Sequence, residues 1–262
     1  NIPWAVTLTL IVCAAIGLAN GLIVTVLNVN GFIATLGMGL ILQGVLNTNF
    51  QGSAGKVPWE FQLIGATGIG PVPVSTVIMI ALAALVWLIL DRTRVGAHLF
   101  AVGGSPEVSR LSGLRIRRPL VTAHVLSSVF AGLAGLLLAS RLGVGSPVVG
   151  QQGGYDLLSI AAVVLGGTLL LGGRGSVWST IGGVAIFAVV DNVMSVLQIN
   201  PFLKDVVRGV VIVAAVAVYS RRVVVARRAR FGPGGSQDRG VDAAAPAPAV
   251  PAASTANGGD GS

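Results

Sequence analysis

Apolar stretches of about twenty residues recur along this chain, and a helix of that length matches the roughly 30 Å hydrocarbon core of a bilayer. Trp4 to Leu27, Phe32 to Phe50, Val72 to Leu90, Pro119 to Leu142, Ser176 to Leu197 and Leu203 to Tyr219 all read as spans. Asp156 to Leu171 is shorter, is broken by Gly166-Gly167, and reads as either a short span or a re-entrant segment. Composition closes the soluble alternative. Charged residues make up 10% of the chain, against about a quarter in ordinary soluble domains, and mean hydropathy is +0.86. So little charge cannot solvate the surface of a 262-residue globule. The expected fold class is all-α, a polytopic helical membrane protein.

Basic residues then set the topology. The loop from Asp91 to Arg118 holds Arg92, Arg94, Arg110, Arg115, Arg117 and Arg118 against two acids, and the run from Arg221 to Arg230 holds five arginines and no acid. The positive-inside rule places both in the cytoplasm. An even number of crossings must separate them, so the short segment crosses, and seven spans result. Arg174 then lies alone in a tight cytoplasmic turn. Two cytoplasmic segments hold eleven of the seventeen basic residues, so topology accounts for the net charge of +8. Phe100 is the one Phe, Tyr or Trp among them, and nucleic-acid binding is not expected. Residues 1–222 are read as the membrane domain and 223–262 as a tail, basic and then disordered, too poor in apolar residues to offset its ordering entropy. The chain starts at Asn1 and turns apolar at once without signal-peptide geometry, so truncation or processing is expected.

Side-chain chemistry is sparse. Cys13 is the single cysteine and reads as a packing residue. His98 and His124 are far apart, so neither a metal set nor an acid–base pair is expected. Gly17-x-x-x-Gly21, Gly132/Gly135, Gly166-Gly167 and Gly182-Gly183 offer small residues for close helix approach. Asp191 and Arg208 are charges inside spans, functional candidates by default. Their matching depths allow an ion pair, and Asp205, three residues before Arg208, offers a competing local one. Gly167 to Arg174 has the glycine spacing of a phosphate loop but no Lys-Ser/Thr follows, so ATP binding falls to a partner.

The most informative segment lies in the basic loop. Ser105 suits an N-cap, Pro106 the first helical position, Glu107 the first turn, and Gly113 a C-terminal stop. A helix of about two turns is marginal alone in water, so it is expected to dock. Val108 and Leu111 would share one face with Glu107 and Arg110 beside them. A lipid-surface or self-packed connector is the competing reading.

Glu107-Val108-Ser109 followed by Gly113 resembles the Glu-Ala-Ala-x-x-x-Gly coupling helix of importer permeases driven by ATP-binding cassettes. The surrounding run Ala101 to Leu114 is similar to that of ribose/xylose/galactose-type permeases. Two further stretches agree in order and spacing: Gly31-Phe32-Ile33-Ala34-Thr35-Leu36-Gly37, and Gly154-Tyr155-Asp156-Leu157 through Ala161 to Thr168 and on to Gly172-Gly173-Arg174-Gly175-Ser176. The resemblance covers about residues 5 to 222. Val108 and Ser109 stand where the family carries two alanines, and Asp191-Asn192 where members carry two asparagines. The family's first spans, with a Gly-x-Asp-Leu motif, have no counterpart here, although 153–157 reads as a second copy of it. The resemblance therefore implies about seven visible spans of a ten-span permease.

It further implies a transport subunit, not an enzyme, with no cofactor. Its partners would be an ATPase subunit, an extracytoplasmic sugar-binding protein, a second permease copy and the lipid bilayer. Alternating access would carry a ribose-, xylose- or galactose-like monosaccharide. Ser105, Pro106, Glu107, Val108, Arg110, Leu111 and Gly113 would couple to the ATPase. Phe32, Thr35, Tyr155, Asp156, Asp191 and Asn192 would line the pathway. A branched-chain amino acid permease is the nearest rival. An ion-coupled secondary transporter is the more distant one, with only Asp191 as a mid-span carboxylate.

Overall fold

The computed structural model describes residues 1–50, 52–53, 55–70, 72–169, 172–200, 202–211 and 213. The basic run from Arg221 and the tail expected over 223–262 lie outside them. In chain order the helices are α1 (Ile2–Val26), α2 (Gly31–Asn49), α3 (Trp59–Ala66), α4 (Val74–Arg92), α5 (Arg94–Gly104), α6 (Pro106–Leu111), α7 (Arg117–Leu142), α8 (Pro147–Gln152), α9 (Tyr155–Leu165) and α10 (Val177–Val196). Residues 202–211 are also helical. Between α3 and α4, β1 (Gly68–Ile69) pairs antiparallel with β2 (Val72–Pro73). Six helical stretches are long and apolar enough to cross a membrane, with α8 and α9 together making one of them, Pro147–Leu165. The protein is multi-pass and all-α.

Local chemistry explains where the helices start and stop. Asn30 caps α2, its Oδ1 accepting from Phe32 N at 2.9 Å. Thr93 is extended, with φ −111° and ψ 156°, and so separates α4 from α5. Its Oγ1 accepts from Gly96 N at 3.4 Å and donates to Ile89 O at 2.6 Å. Gly143, at φ 73°, ends α7 in the left-handed conformation that glycine adopts without strain.

Close backbone contact joins α1 to α7. A Cβ on Gly17 would lie 2.7 Å from His124 O and 2.8 Å from Val125 Cα, and one on Gly21 would lie 2.9 Å from Val121 Cα. Further along, Gly132 meets Cys13, whose Sγ would be 2.7 Å from an added Cβ. These pairings run antiparallel. In lipid, burying apolar surface between helices gains little over solvation by acyl chains, so association rests on such close packing. The same device closes α9 on α10, where a Cβ on Gly166 would run into Ser179 O and one on Gly183 into Ala162 O. Ala161, Ala162 and Phe187 form the buried cluster there, with Leu158, Leu165 and Val211 packed on it. Gly135 and Gly182 have nothing within 4 Å, so only one glycine of each of those pairs packs.

The bundle has two distinguishable ends. At the C-terminal end of α7, Ser140 Oγ donates to Phe61 O at 2.6 Å and Val57 N to Gly143 O at 3.0 Å. The opposite end carries the basic loop with α5 and α6. The turn between α9 and α10 lies there too, because Gly172 and Gly173 touch Gly103 and Gly104. Hence α7 and the α8–α9 stretch each run from one end of the bundle to the other.

Several expectations are corrected. The loop expected over 51–71 contains α3 and the β1–β2 hairpin, the polar loop over 91–118 contains α5, and the loop over 143–155 contains α8. The apolar run 156–171 is not one helix: α9 stops at Leu165, and Gly167 at φ 88° turns the chain. Its missing length is supplied upstream by α8. The seventh span, Leu203 to Tyr219, is described only as far as 211 and at 213, and 214–219 lie outside the described residues.

Candidate functional site

The best-defined polar feature is α6. Ser105 Oγ accepts from Val108 N at 3.3 Å, and Pro106 takes the first helical position, where its missing N–H costs nothing. Glu107 lies in the first turn and Arg110 in the last, each favourable to the helix dipole. At the other end Ser112 Oγ donates to Val108 O at 2.9 Å. Leu114 N reaches back to Ser109 O at 3.0 Å across Gly113, which sits at φ 77°. Six residues are helical, close to two turns at about 3.6 residues per turn, with Ser105 and Ser112 as the caps on either side. The faces are unequal. Ser109 is 4% exposed, whereas Val108 is 60% and Leu111 85% exposed, with Glu107 and Arg110 exposed beside them. Covering a leucine side chain is worth about 1.5–3 kcal/mol. α6 is thus a short helix capped at both ends, with its apolar tip exposed among charges.

Two of the pathway candidates lie on another helix, apart from the rest. Phe32 and Thr35 start α2 at the basic end, and Thr35 Oγ1 bonds back to Gly31 O at 2.9 Å. Tyr155 and Asp156 start α9. The register that sets Ala162 against Gly183 carries on to set Tyr155 level with Val190, within a turn of Asp191 and Asn192 on α10. So four of the six candidates share one depth in the α9–α10 hairpin.

Asp191 is engaged. Arg208 Nε and Nη2 reach its two oxygens at 2.9 and 3.0 Å, while Nη1 reaches Asp205 Oδ1 at 3.2 Å. Both pairings that the sequence allows are therefore made at once. Lys204 Nζ donates to Ser195 Oγ at 3.0 Å one turn away, which locks the helix through 202–211 antiparallel to α10. A bidentate pair of this kind is the stronger form of carboxylate recognition. In a double-mutant cycle of Asp191→Asn and Arg208→Gln, the two losses of thermal stability in detergent are expected to fall short of additive by about 1 kcal/mol or more. Additive losses would show that the pair contributes nothing.

One residue escaped the sequence reading. Asn20 is 8% exposed on the α1 face that carries Gly17 and Gly21, and its Oδ1 has no hydrogen-bond partner among the described residues. Its position three residues after Gly17 was the available signal. A cavity of about 670 Å³ opens between α4, α5 and α10, lined by Met79, Val86, Phe100, Leu169, Ile181 and Ala188 among others. It is apolar, none of the pathway candidates lines it, and hydroxyl groups would find almost no partners there. Among the described residues no three His, Cys, Asp or Glu gather into a metal-ligating group.

Residues 1–216 match the family described as branched-chain amino acid transport system / permease component. The chain is 35% identical over 228 residues to the galactose/methyl galactoside import permease protein of Haemophilus influenzae, covering 84% of this chain and 67% of that one. It is 37% identical over 225 residues to the ribose import permease protein of Escherichia coli, covering 83% and 69%. With the D-allose transport system permease protein of Escherichia coli it shares 31% identity over 209 residues, covering 79% and 64%. The chain thus spans about two thirds of the length of these relatives. No solved structure matches it.

Proposed function

The chain belongs to the branched-chain amino acid transport system / permease component family, and on that footing we propose that it is the membrane-spanning subunit of an ATP-driven importer that admits a monosaccharide by alternating access. The observation that carries the coupling half of this reading is α6, rigidly capped and exposing Val108 and Leu111 among charges. A cytoplasmic ATPase would cover that tip, with Glu107 and Arg110 fixing orientation, and push on it as it closes over ATP. The basic loop then faces the cytoplasm, and so does the 223–262 tail. A sugar-binding protein would deliver substrate at the opposite face, and a second permease copy would complete the pathway. Tyr155, Asp156, Asp191 and Asn192 are the groups proposed to meet the sugar at one depth, with Phe32 and Thr35 nearer the inner end.

Substrate class follows the relatives, whose names specify galactose and methyl galactoside, ribose and allose. The branched-chain amino acid reading has the family description in its favour, but none of those named substrates. The ion-coupled reading needs a carboxylate free to take up a proton or cation; Asp191 is held by Arg208, which leaves Asp156 at that depth, and none of the relatives' names specifies an ion. Isolation of the subunit from its native membranes in mild detergent tests the assembly. An ATPase is expected to copurify and to hydrolyse ATP faster when a loaded sugar-binding protein is added. A subunit that copurifies with no ATPase contradicts the proposal.

A further inference from the structure

The geometry points to a main-chain joint, Gly103-Gly104 on Gly172-Gly173, through which displacement of α6 carries the α9–α10 hairpin with it; this rests on the importer reading above. α5 ends on Gly103-Gly104, and the next residue is Ser105, the cap of α6. No linker separates the docking helix from the glycine pair. A Cβ on Gly103 would lie 3.0 Å from Gly173 N, one on Gly172 2.7 Å from Gly103 O, and one on Gly173 2.5 Å from Gly104 Cα. Backbone therefore rests directly on backbone. Gly172 and Gly173 sit at φ 89° and 81°, a region other residues enter only with strain.

The far side of the joint is stiff. Leu169 N donates to Arg174 O and Gly172 N to Leu169 O, both at 3.0 Å, which holds the turn closed. Gly175 packs on Thr168, whose Cγ2 would be 2.7 Å from an added Cβ, and the α9 and α10 arms interlock at Gly166 and Gly183. The near side is hollow. Leu99, Phe100 and Gly103 face Val177, Ile181 and Val184 across the 670 Å³ cavity, so side-chain packing between α5 and α10 is interrupted there. A push on α6 meets the hairpin at the glycines, where no rotamer exists to absorb it. Rigid elements in contact move together or separate. The hairpin so moved carries Tyr155, Asp156, Asp191 and Asn192.

The test uses the whole transporter with its ATPase, reconstituted in proteoliposomes, and reads sugar uptake and ATP hydrolysis together. Gly103→Ala and Gly173→Ala are expected to retain the ATPase and to hydrolyse ATP within about twofold of wild type, while uptake per ATP falls about tenfold or more. Gly135→Ala, where an added Cβ meets nothing within 4 Å, is expected to keep the wild-type ratio. Uptake per ATP unchanged in Gly103→Ala, or uptake and hydrolysis falling in step, overturns the joint. A second measurement leaves the glycines in place: spin labels at Ala101→Cys and Trp178→Cys, in a Cys13→Ala background, straddle the contact. Their separation is expected to be the same with and without ATP, and a change of several ångströms overturns the proposal. Wild type that takes up no sugar on ATP overturns the importer reading itself, and the joint with it.

Discussion

Gly17→Val is expected to yield little folded protein, with the surviving fraction melting well below wild type in detergent. The contact it breaks is with main chain, since an added Cβ would lie 2.7 Å from His124 O, 2.8 Å from Val125 Cα and 2.9 Å from Ser128 Cβ. A flexible neighbour could swing away, but the backbone of α7 cannot. The helices must part, and parting also separates Gly21 from Val121 and Cys13 from Gly132. Overpacking of a well-filled interior costs about 1–3 kcal/mol, and here the lost contacts along α1 add to that. Against a total stability of about 5–15 kcal/mol for a folded domain, the change is severe. Gly135→Val, on α7 itself, meets open space and is expected to melt like wild type. Equal melting of the two variants would contradict the close α1–α7 approach.

Glu107→Lys is expected to lower ATP-driven uptake by about tenfold or more, the size of a typical coupling loss, while the protein still inserts at wild-type levels. Glu107 is exposed and forms no ion pair among the described residues, so its folded-state role is limited to the first turn of α6. That local term is worth about 0.3–1 kcal/mol, too little to unfold a helix fastened by Ser105 and Gly113. What reversal changes is the surface beside Val108 and Leu111 that the ATPase is proposed to cover. Uptake at the wild-type rate, with expression matched, would remove α6 from the coupling path.

The spans were legible because hydropathy and charge act on whole helices. Any run of about twenty apolar residues is sorted into the bilayer, and arginine counts alone demanded that the 156–171 segment cross. The capped α6 was legible for the opposite reason: Ser105, Pro106, Glu107 and Gly113 each act within a few residues of themselves. α5 and α8 were not seen. Both are short and lie between polar flanks, and what holds α5 is tertiary, Gly96 against Leu90 and Gly103 against the distant Gly173. The end of α9 was misplaced because an apolar run continues through Leu171, and hydropathy does not register the φ of Gly167. Depth estimates along antiparallel helices placed Asp191 opposite Arg208, yet only geometry could show that Asp205 shares the same guanidinium. The glycine joint was in view as a motif. Its partner at Gly103-Gly104 was not, because nothing in a sequence says which turn a glycine pair will meet.

ATP is the proposed driving force. Orientation is controlled by sealing right-side-out vesicles from cells that make the transporter, loading them with an ATP-regenerating system, and adding the sugar-binding protein with labelled monosaccharide outside. Uptake is expected with ATP inside and no ion gradient, and none is expected with a proton or sodium gradient and ATP removed. Uptake that persists on the gradient alone would contradict the account.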